Sequence, residues 1–264
     1  MFVDSHAHID GSEFDNDREL VIQRAKDAGV EAILNVGTGD PHSGALERAV
    51  KVAESYPDVF IALGTHPHDA RLFDEKAETR LAELVKKSSR VIAWGEIGLD
   101  FHYDHSPRED QRNAFRRQLQ LARSARLPVI IHTREAEDET IEILRTEWAS
   151  ARLPGVMHCF SGSARLAEQA LELGLSISFS GIVTFKKAEE LRDIAKAVPL
   201  ERLLIETDCP YLAPVPFRGK RNEPAFVVEV ARCIAEIRGM ALEEVARITT
   251  SNFSTVFGVE VQAY

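Results

Sequence analysis

The sequence is poor in cysteine and in aromatic residues, and it contains no long apolar run. Its three cysteines, Cys159, Cys209 and Cys233, are odd in number and widely spaced, with no Cys-x-x-Cys pair. That argues against a disulfide framework and against a zinc knuckle, and free thiols fit a reducing cytoplasm, the expected location. No apolar run approaches the roughly 18 residues that a membrane span needs, and no membrane association is expected. The opening Met-Phe-Val-Asp-Ser-His has neither the basic region nor the apolar region of a secretory signal. Gly37-Thr38-Gly39 is the nearest approach to a phosphate-binding glycine turn and does not match Gly-x-Gly-x-x-Gly. Cations are in deficit, with 32 Lys and Arg against 42 Asp and Glu and a formal net charge of −10. The global basic footprint of a nucleic-acid binder is therefore missing, whereas clustered carboxylates raise affinity for cations. No basic stripe is interleaved with aromatic residues, so binding along an extended single strand is not indicated.

What the chain does have is alternation. Short apolar runs occur at 1–7, 31–36, 59–64, 91–97, 128–132, 155–160, 175–180 and 202–206. Many are rich in Val and Ile, as buried parallel strands are. Between them lie amphipathic stretches that read as helices at 15–28, 41–55, 74–88, 108–125, 135–148, 163–173, 187–197 and 224–238, with a further helix at 242–256. Gly29 and Gly174 stand where two of these helices should stop. Eight strand–helix units predict an α/β protein, a (β/α)8 TIM barrel built as a single domain over residues 1–264. A doubly wound open sheet is the alternative, and the missing glycine turn counts against it. The Pro-rich, basic loop 207–223 is too short to separate two domains.

The chemistry-bearing residues fall at strand ends. His6 and His8 close the first run, and residues i and i+2 of a strand point to the same side. Two imidazoles on one side make half of a divalent metal site. Later runs end in Trp94-Gly95-Glu96-Ile97-Gly98-Leu99-Asp100, Ile131-His132, Met157-His158-Cys159 and Ile205-Glu206-Thr207-Asp208. Catalytic residues of such barrels come from the ends of several strands. Each residue has a plainer reading: a core histidine, a helix cap, or for Asp208 the turn before Pro210. Their joint recurrence favours a metal site. His102 and His105 read as a solvated loop that could instead touch substrate, and Arg108, Arg112, Arg116 and Arg117 as a solvated helix face.

These stretches, together with Gly64-Thr65-His66-Pro67-His68, Pro128 to Arg134, His158-Cys159-Phe160-Ser161-Gly162, Glu206 to Pro214 and Arg218 to Pro224, resemble in order the TatD-type metal-dependent deoxyribonucleases. That family lies within the amidohydrolase-like TIM-barrel superfamily. The resemblance covers nearly the whole chain. It implies a site for two divalent cations (Mg²⁺, Mn²⁺ or Zn²⁺): His6, His8 and Asp208 on one, His132 and His158 on the other, and Glu96 bridging where many relatives in the superfamily use a carbamylated lysine. It also implies that His66 and Arg221 bind substrate phosphate, with Asp208 and Glu96 as the catalytic carboxylates. His66 could instead donate a proton to the leaving oxygen.

The implied activity is hydrolysis of phosphodiesters by activated water, as a 3′-to-5′ exonuclease on DNA or RNA. Nucleic acid strand ends are the expected partner, and no obligate protein partner is expected. A hydrolase of a small phosphoester, ester or amide is the alternative within the enzymes. A non-catalytic metal-binding module is the alternative outside them.

Overall fold

The computed structural model describes residues 1–261; Gln262, Ala263 and Tyr264, the end of the expected 1–264 span, lie outside the described residues. Eight parallel strands pair in chain order: β1 (Phe2–Ala7), β2 (Val30–Gly37), β3 (Val59–Leu63), β4 (Val91–Asp100), β5 (Val129–Arg134), β6 (Gly155–Met157), β7 (Ser176–Phe179) and β8 (Leu203–Ile205). The helices are α1 (Arg18–Asp27), α2 (Ala45–Ser55), α3 (Glu75–Lys87), α4 (Arg108–Ala125), α5 (Glu137–Glu147), α6 (Ala164–Glu172), α7 (Glu189–Ala197), α8 (Val227–Arg238) and α9 (Leu242–Phe257).

The seam between β8 and β1 is closed mainly by the chain just past β8. The Asp208 amide donates to the His6 carbonyl at 2.9 Å, and the His8 amide donates to the Cys209 carbonyl at 2.8 Å. Ser5 Oγ donates to the Ile205 carbonyl at 2.9 Å. Asp4 accepts from the amide and the hydroxyl of Thr207 at 2.8 and 2.5 Å. Two prospective metal-binding segments thus complete the barrel.

Side-chain alternation divides the core into two layers. Val3, Leu34, Ala62, Ile130, Val156 and Leu204, from six different strands, meet inside the barrel. Ile33, Ile61 and Ile131 face the opposite way and pack with helix residues such as Leu46, Leu81 and Phe115. Phe253 and Phe257 of α9, one helical turn apart, join the inner layer. Asn252 beside them donates to the Leu200 and Leu203 carbonyls at 2.6 and 2.8 Å, at the start of β8. α9 is therefore the floor of the barrel, and burying each phenylalanine contributes roughly 1.5–3 kcal/mol. With the floor sealed, a site inside the barrel opens only at the C-terminal mouth.

Several boundaries differ from the sequence reading. β4 runs to Asp100, past the apolar run 91–97 and to the end of the Trp94 to Asp100 stretch, because Gly98, Leu99 and Asp100 stay paired with His132, Thr133 and Arg134. Gly98 permits this: its φ is 145°, and a Cβ there would sit 1.9 Å from the His132 carbonyl oxygen. β6 stops at Met157 rather than near 160, since Cys159 takes a left-handed turn with φ 43°. The first helix begins at Arg18, after a short 3-10 turn at Ser12–Phe14. Gly29 and Gly174 follow their helices with positive φ, as expected.

Candidate metal centre

β1 changes side part-way along. Val3 lies in the inner layer and Ala7 in the outer one, and the register with β2 shifts between Asp4 and Ala7. That irregularity brings His6 inward at the mouth, with His8 one pleat further on. Their Nε2 atoms lie 3.2 Å apart. Asp208 Oδ1 is 3.8 Å from His6 Nε2 and 3.5 Å from His8 Nε2. Glu96 reaches the centre from β4. Its Oε2 lies 3.5 Å from His6 Nε2, and its Oε1 lies 2.7 Å from His158 Nε2 and 2.9 Å from His132 Nδ1. Three sets of potential ligand atoms result, each within 4.8 Å: His6–His8–Asp208, His6–Glu96–His158 and His66–Glu96–His132.

For three of the rings, His8, His132 and His158, a hydrogen bond on the far side decides what the near side can do, whereas the buried Nδ1 of His6 has no hydrogen-bond partner among the described residues. His8 Nδ1 meets the Val36 carbonyl at 2.8 Å. His132 Nε2 meets Asp100 Oδ2 at 3.2 Å, and His158 Nδ1 meets Glu206 Oε1 at 3.2 Å. Each partner only accepts, so each outer nitrogen carries the hydrogen. The inner nitrogens are then bare lone pairs aimed at the Glu96 and Asp208 carboxylates, acceptor against acceptor. Only a cation or added protons make that arrangement favourable, and an imidazole anchored by a carboxylate or carbonyl is how proteins orient metal-binding histidines. The donor set therefore fits divalent cations.

His66 behaves differently. Its Nδ1 accepts the His68 amide at 3.1 Å. In the neutral ring the hydrogen sits on Nε2, which points at Glu96 Oε1 from 3.3 Å. An N–H cannot ligate a metal, so His66 is built as a donor facing the site.

Charge follows geometry. Without metal, burial lowers the His8 pKa, but the Asp208 carboxylate overrides this and raises it to about 9. For His158 burial is likewise overridden, by Glu96 and Glu206, and the pKa lies well above the ordinary value. Burial pushes Glu96 up, yet the surrounding imidazoles hold it well below the usual carboxylate range. Burial dominates at His66 and lowers it to about 4, keeping that ring neutral at pH 7. The cluster retains positive charge between its carboxylates, as a cation site does.

Three of the residues involved escaped the sequence reading of the site. Asp100 takes His132 on one side and His68 Nε2 on the other, at 2.9 Å. Glu206 holds His158 and also accepts the Cys159 amide at 2.6 Å. Asp100, Glu206 and His68 all lie inside the motifs that mark the site, so a search of each motif for partners of the clustered histidines would have found them. Replacing Asp100 with asparagine offers an amide that can donate where the ring needs an acceptor. Metal affinity should fall about 10–100-fold, read by competition with a chromogenic chelator, with the circular dichroism spectrum unchanged.

Arg221 does not join the cluster. Its guanidinium clasps Asp17 at 2.9 and 2.6 Å, donates to the Glu13 carbonyl at 2.6 Å and lies over the Phe14 ring. A planar fork matches a carboxylate as well as it matches a phosphate, and Asp17 is the group within reach. Arg221 ties the last loop to the segment after β1 and is not among the residues lining the cleft. Arg108, Arg112 and Arg117 are likewise engaged, by Asp104, Glu139 and Glu78. His102 pairs with Glu135 in solvent, whereas His105 lines the cleft.

The centre lies at the bottom of an open cleft of about 760 Å³, whose walls include Arg48, Arg134, Tyr103 and Tyr211. A parallel barrel with a sealed floor and a histidine–carboxylate cluster at its C-terminal mouth defines a metal-dependent hydrolase of the TIM-barrel class. The chain belongs to the TatD related DNase family, whose sequence pattern matches residues 3–258. It is 44% identical to the uncharacterized metal-dependent hydrolase YabD of Bacillus subtilis over 259 residues, covering 98% of this chain and 100% of that one. It is 35% identical to the 3′-5′ ssDNA/RNA exonuclease TatD of Klebsiella pneumoniae, covering 98% of each chain. The crystal structure of YJJV, a TatD homologue from Escherichia coli, superposes with a TM-score of 0.91 at 33% identity, covering 98% of each chain.

Proposed function

We propose that this hydrolase cleaves phosphodiester bonds at nucleic acid strand ends, removing nucleotides in the 3′-to-5′ direction from single-stranded DNA or RNA. The observation that carries the reading is the convergence of bare imidazole nitrogens on two carboxylates beneath an open cleft. The exonuclease name borne by relatives at 35–37% identity supports the substrate class. In this reading His6, His8 and Asp208 would hold one divalent cation and His132 and His158 a second, with Glu96, whose Oε2 faces His6 and whose Oε1 faces His132 and His158, shared between the two sets. Such a pair, whether Mg²⁺, Mn²⁺ or Zn²⁺, lowers the pKa of water and neutralises phosphoryl charge.

The protein's own groups complete the reaction. Asp208 Oδ1, beside His6 and His8 at the mouth, orients the attacking water and accepts its proton. His66 donates its Nε2–H to a non-bridging phosphate oxygen, and its low pKa keeps that donor neutral. Arg48 and Arg134 on the cleft walls offer countercharge to the flanking phosphates.

Purified protein loaded with Mn²⁺, Mg²⁺ or Zn²⁺ should shorten end-labelled oligonucleotides progressively from the 3′ end. Turnover of small phosphoesters, esters and amides should be weak by comparison. Turnover confined to the small substrates would replace this reading with a small-ester hydrolase.

A further inference from the structure

Two loops at the C-terminal mouth are docked onto each other. The segment after β7 contributes Phe185, Lys186 and Lys187, and the segment after β8 contributes Phe217, Arg218 and Lys220. The Val215 amide donates to Thr184 Oγ1 at 2.9 Å. Gly181 lies so close to the other loop that a Cβ there would be 2.1 Å from the Leu212 carbonyl oxygen. The Arg218 guanidinium rests on the Phe185 ring at 3.8 Å, and Lys220 Nζ lies 5.7 Å from the Phe217 ring centre.

The result is a basic, aromatic ridge that exists in neither segment alone. Lys186, Lys187, Arg218 and Lys220 are all exposed. None of the four appears in an ion pair among the described residues, unlike Arg221 next door. No carboxylate occurs from 209 to 222 or from 177 to 188, in a chain with 42 acidic residues. Ile182, Tyr211 and Leu212, from the same two loops, line the cleft over the metal centre. The ridge therefore continues the cleft wall outward.

We propose that this ridge binds the part of a single-stranded nucleic acid that trails from the metal centre, holding successive phosphates with Lys186, Lys187, Arg218 and Lys220. The proposal rests on the nuclease reading for what occupies the cleft. Phe217 stacks on Phe226 and Phe185 lies under Arg218, so the rings brace the cations, and a folded polyanionic protein is the weaker fit because unpaired cations that continue the wall of an open cleft suit a flexible strand already seated in it. The ridge also explains how an acidic protein can hold a polyanion, since a local concentration of unpaired cations suffices where the remaining surface repels.

The test is a variant carrying Lys186→Glu, Lys187→Glu and Lys220→Glu, all solvent-exposed positions outside the metal centre. Two substrates are compared in the metal-loaded enzyme: oligothymidylates of about 24 and about 4 nucleotides, the longer one spanning more than one strand-binding site. The variant should lose about tenfold or more in kcat/KM on the longer strand at low salt. Its rate on the short one should be unchanged, and the log–log salt slope should shrink by about 2, three lost contacts at about 0.7 each. Binding of a long, fully phosphorothioate oligothymidylate, followed by fluorescence anisotropy, should weaken in parallel. A variant that matches the parent in length dependence, salt slope and binding overturns the ridge while leaving the nuclease reading intact. A parent that binds the long strand through the ridge yet cleaves no oligonucleotide overturns the nuclease reading and leaves the ridge. An Arg218→Lys variant, which keeps charge but loses the flat contact with Phe185, should show a partial loss on the long strand only.

Discussion

Glu96→Gln should lower hydrolysis about 10³-fold or more, roughly 4 kcal/mol of transition-state stabilisation, in a protein that remains folded. The size of the effect follows from how many groups depend on one carboxylate. Glu96 Oε1 faces His158, His132 and His66 within 3.3 Å, and Oε2 faces His6 at 3.5 Å. Glutamine keeps the volume and one acceptor oxygen, but it replaces the other oxygen with an amide donor and removes the charge. An amide NH₂ aimed at either half of the cluster leaves that half without the carboxylate oxygen that faces it in the parent. Metal content, measured by elemental analysis after gel filtration, should drop from that of the parent, and the far-ultraviolet spectrum should not change. Near-parent activity with full metal content would show that Glu96 does not join the two halves of the site. The substitution is kinder to the fold than most buried ones, since the imidazoles left behind can stay neutral.

The residues that this prediction depends on were legible in the sequence because their positions are local. His6 and His8 share a side through strand geometry, and Glu96, His132, His158 and Asp208 each end a recognisable apolar run. What holds them was not legible, because it is long-range. His132 and Asp100 are 32 residues apart, and His158 and Glu206 are 48 apart. The partner of Arg221 is 204 residues away, so its diversion onto Asp17 could not be read from the basic loop. α9 was legible as a helix but not as the floor, since Phe253 and Phe257 at i and i+4 mark an apolar face without saying what it covers. The side change within β1 is another hidden step. Strict alternation from Val3 would have put His6 on the outside, and only the irregular register with β2 turns it inward. The basic ridge needed two loops more than 20 residues apart to be seen side by side.

Asp208→Asn separates proton transfer from metal binding, and it should reduce kcat about 10²–10⁴-fold, the usual range for a lost general base. Asparagine is the right substitution because Asp208 has φ 56°, in the left-handed region that asparagine tolerates and alanine resists. An alanine variant would therefore confound chemistry with backbone strain. The asparagine side chain retains an oxygen that can still face His6 and His8, so metal content should fall less than in Glu96→Gln. What it lacks is basicity. Burial raises the Asp208 pKa, but the His8 hydrogen bond and the neighbouring imidazole charges override this and hold it below the ordinary carboxylate value. The group is thus ionised and ready to accept a proton at neutral pH. In the parent, kcat should rise with pH through an acidic limb as this carboxylate deprotonates and then level off. In the asparagine variant that limb should vanish, and the residual rate should climb with hydroxide concentration across the same range. Retention of the acidic limb in the variant would assign it to another group, and near-parent kcat would remove Asp208 from proton transfer altogether.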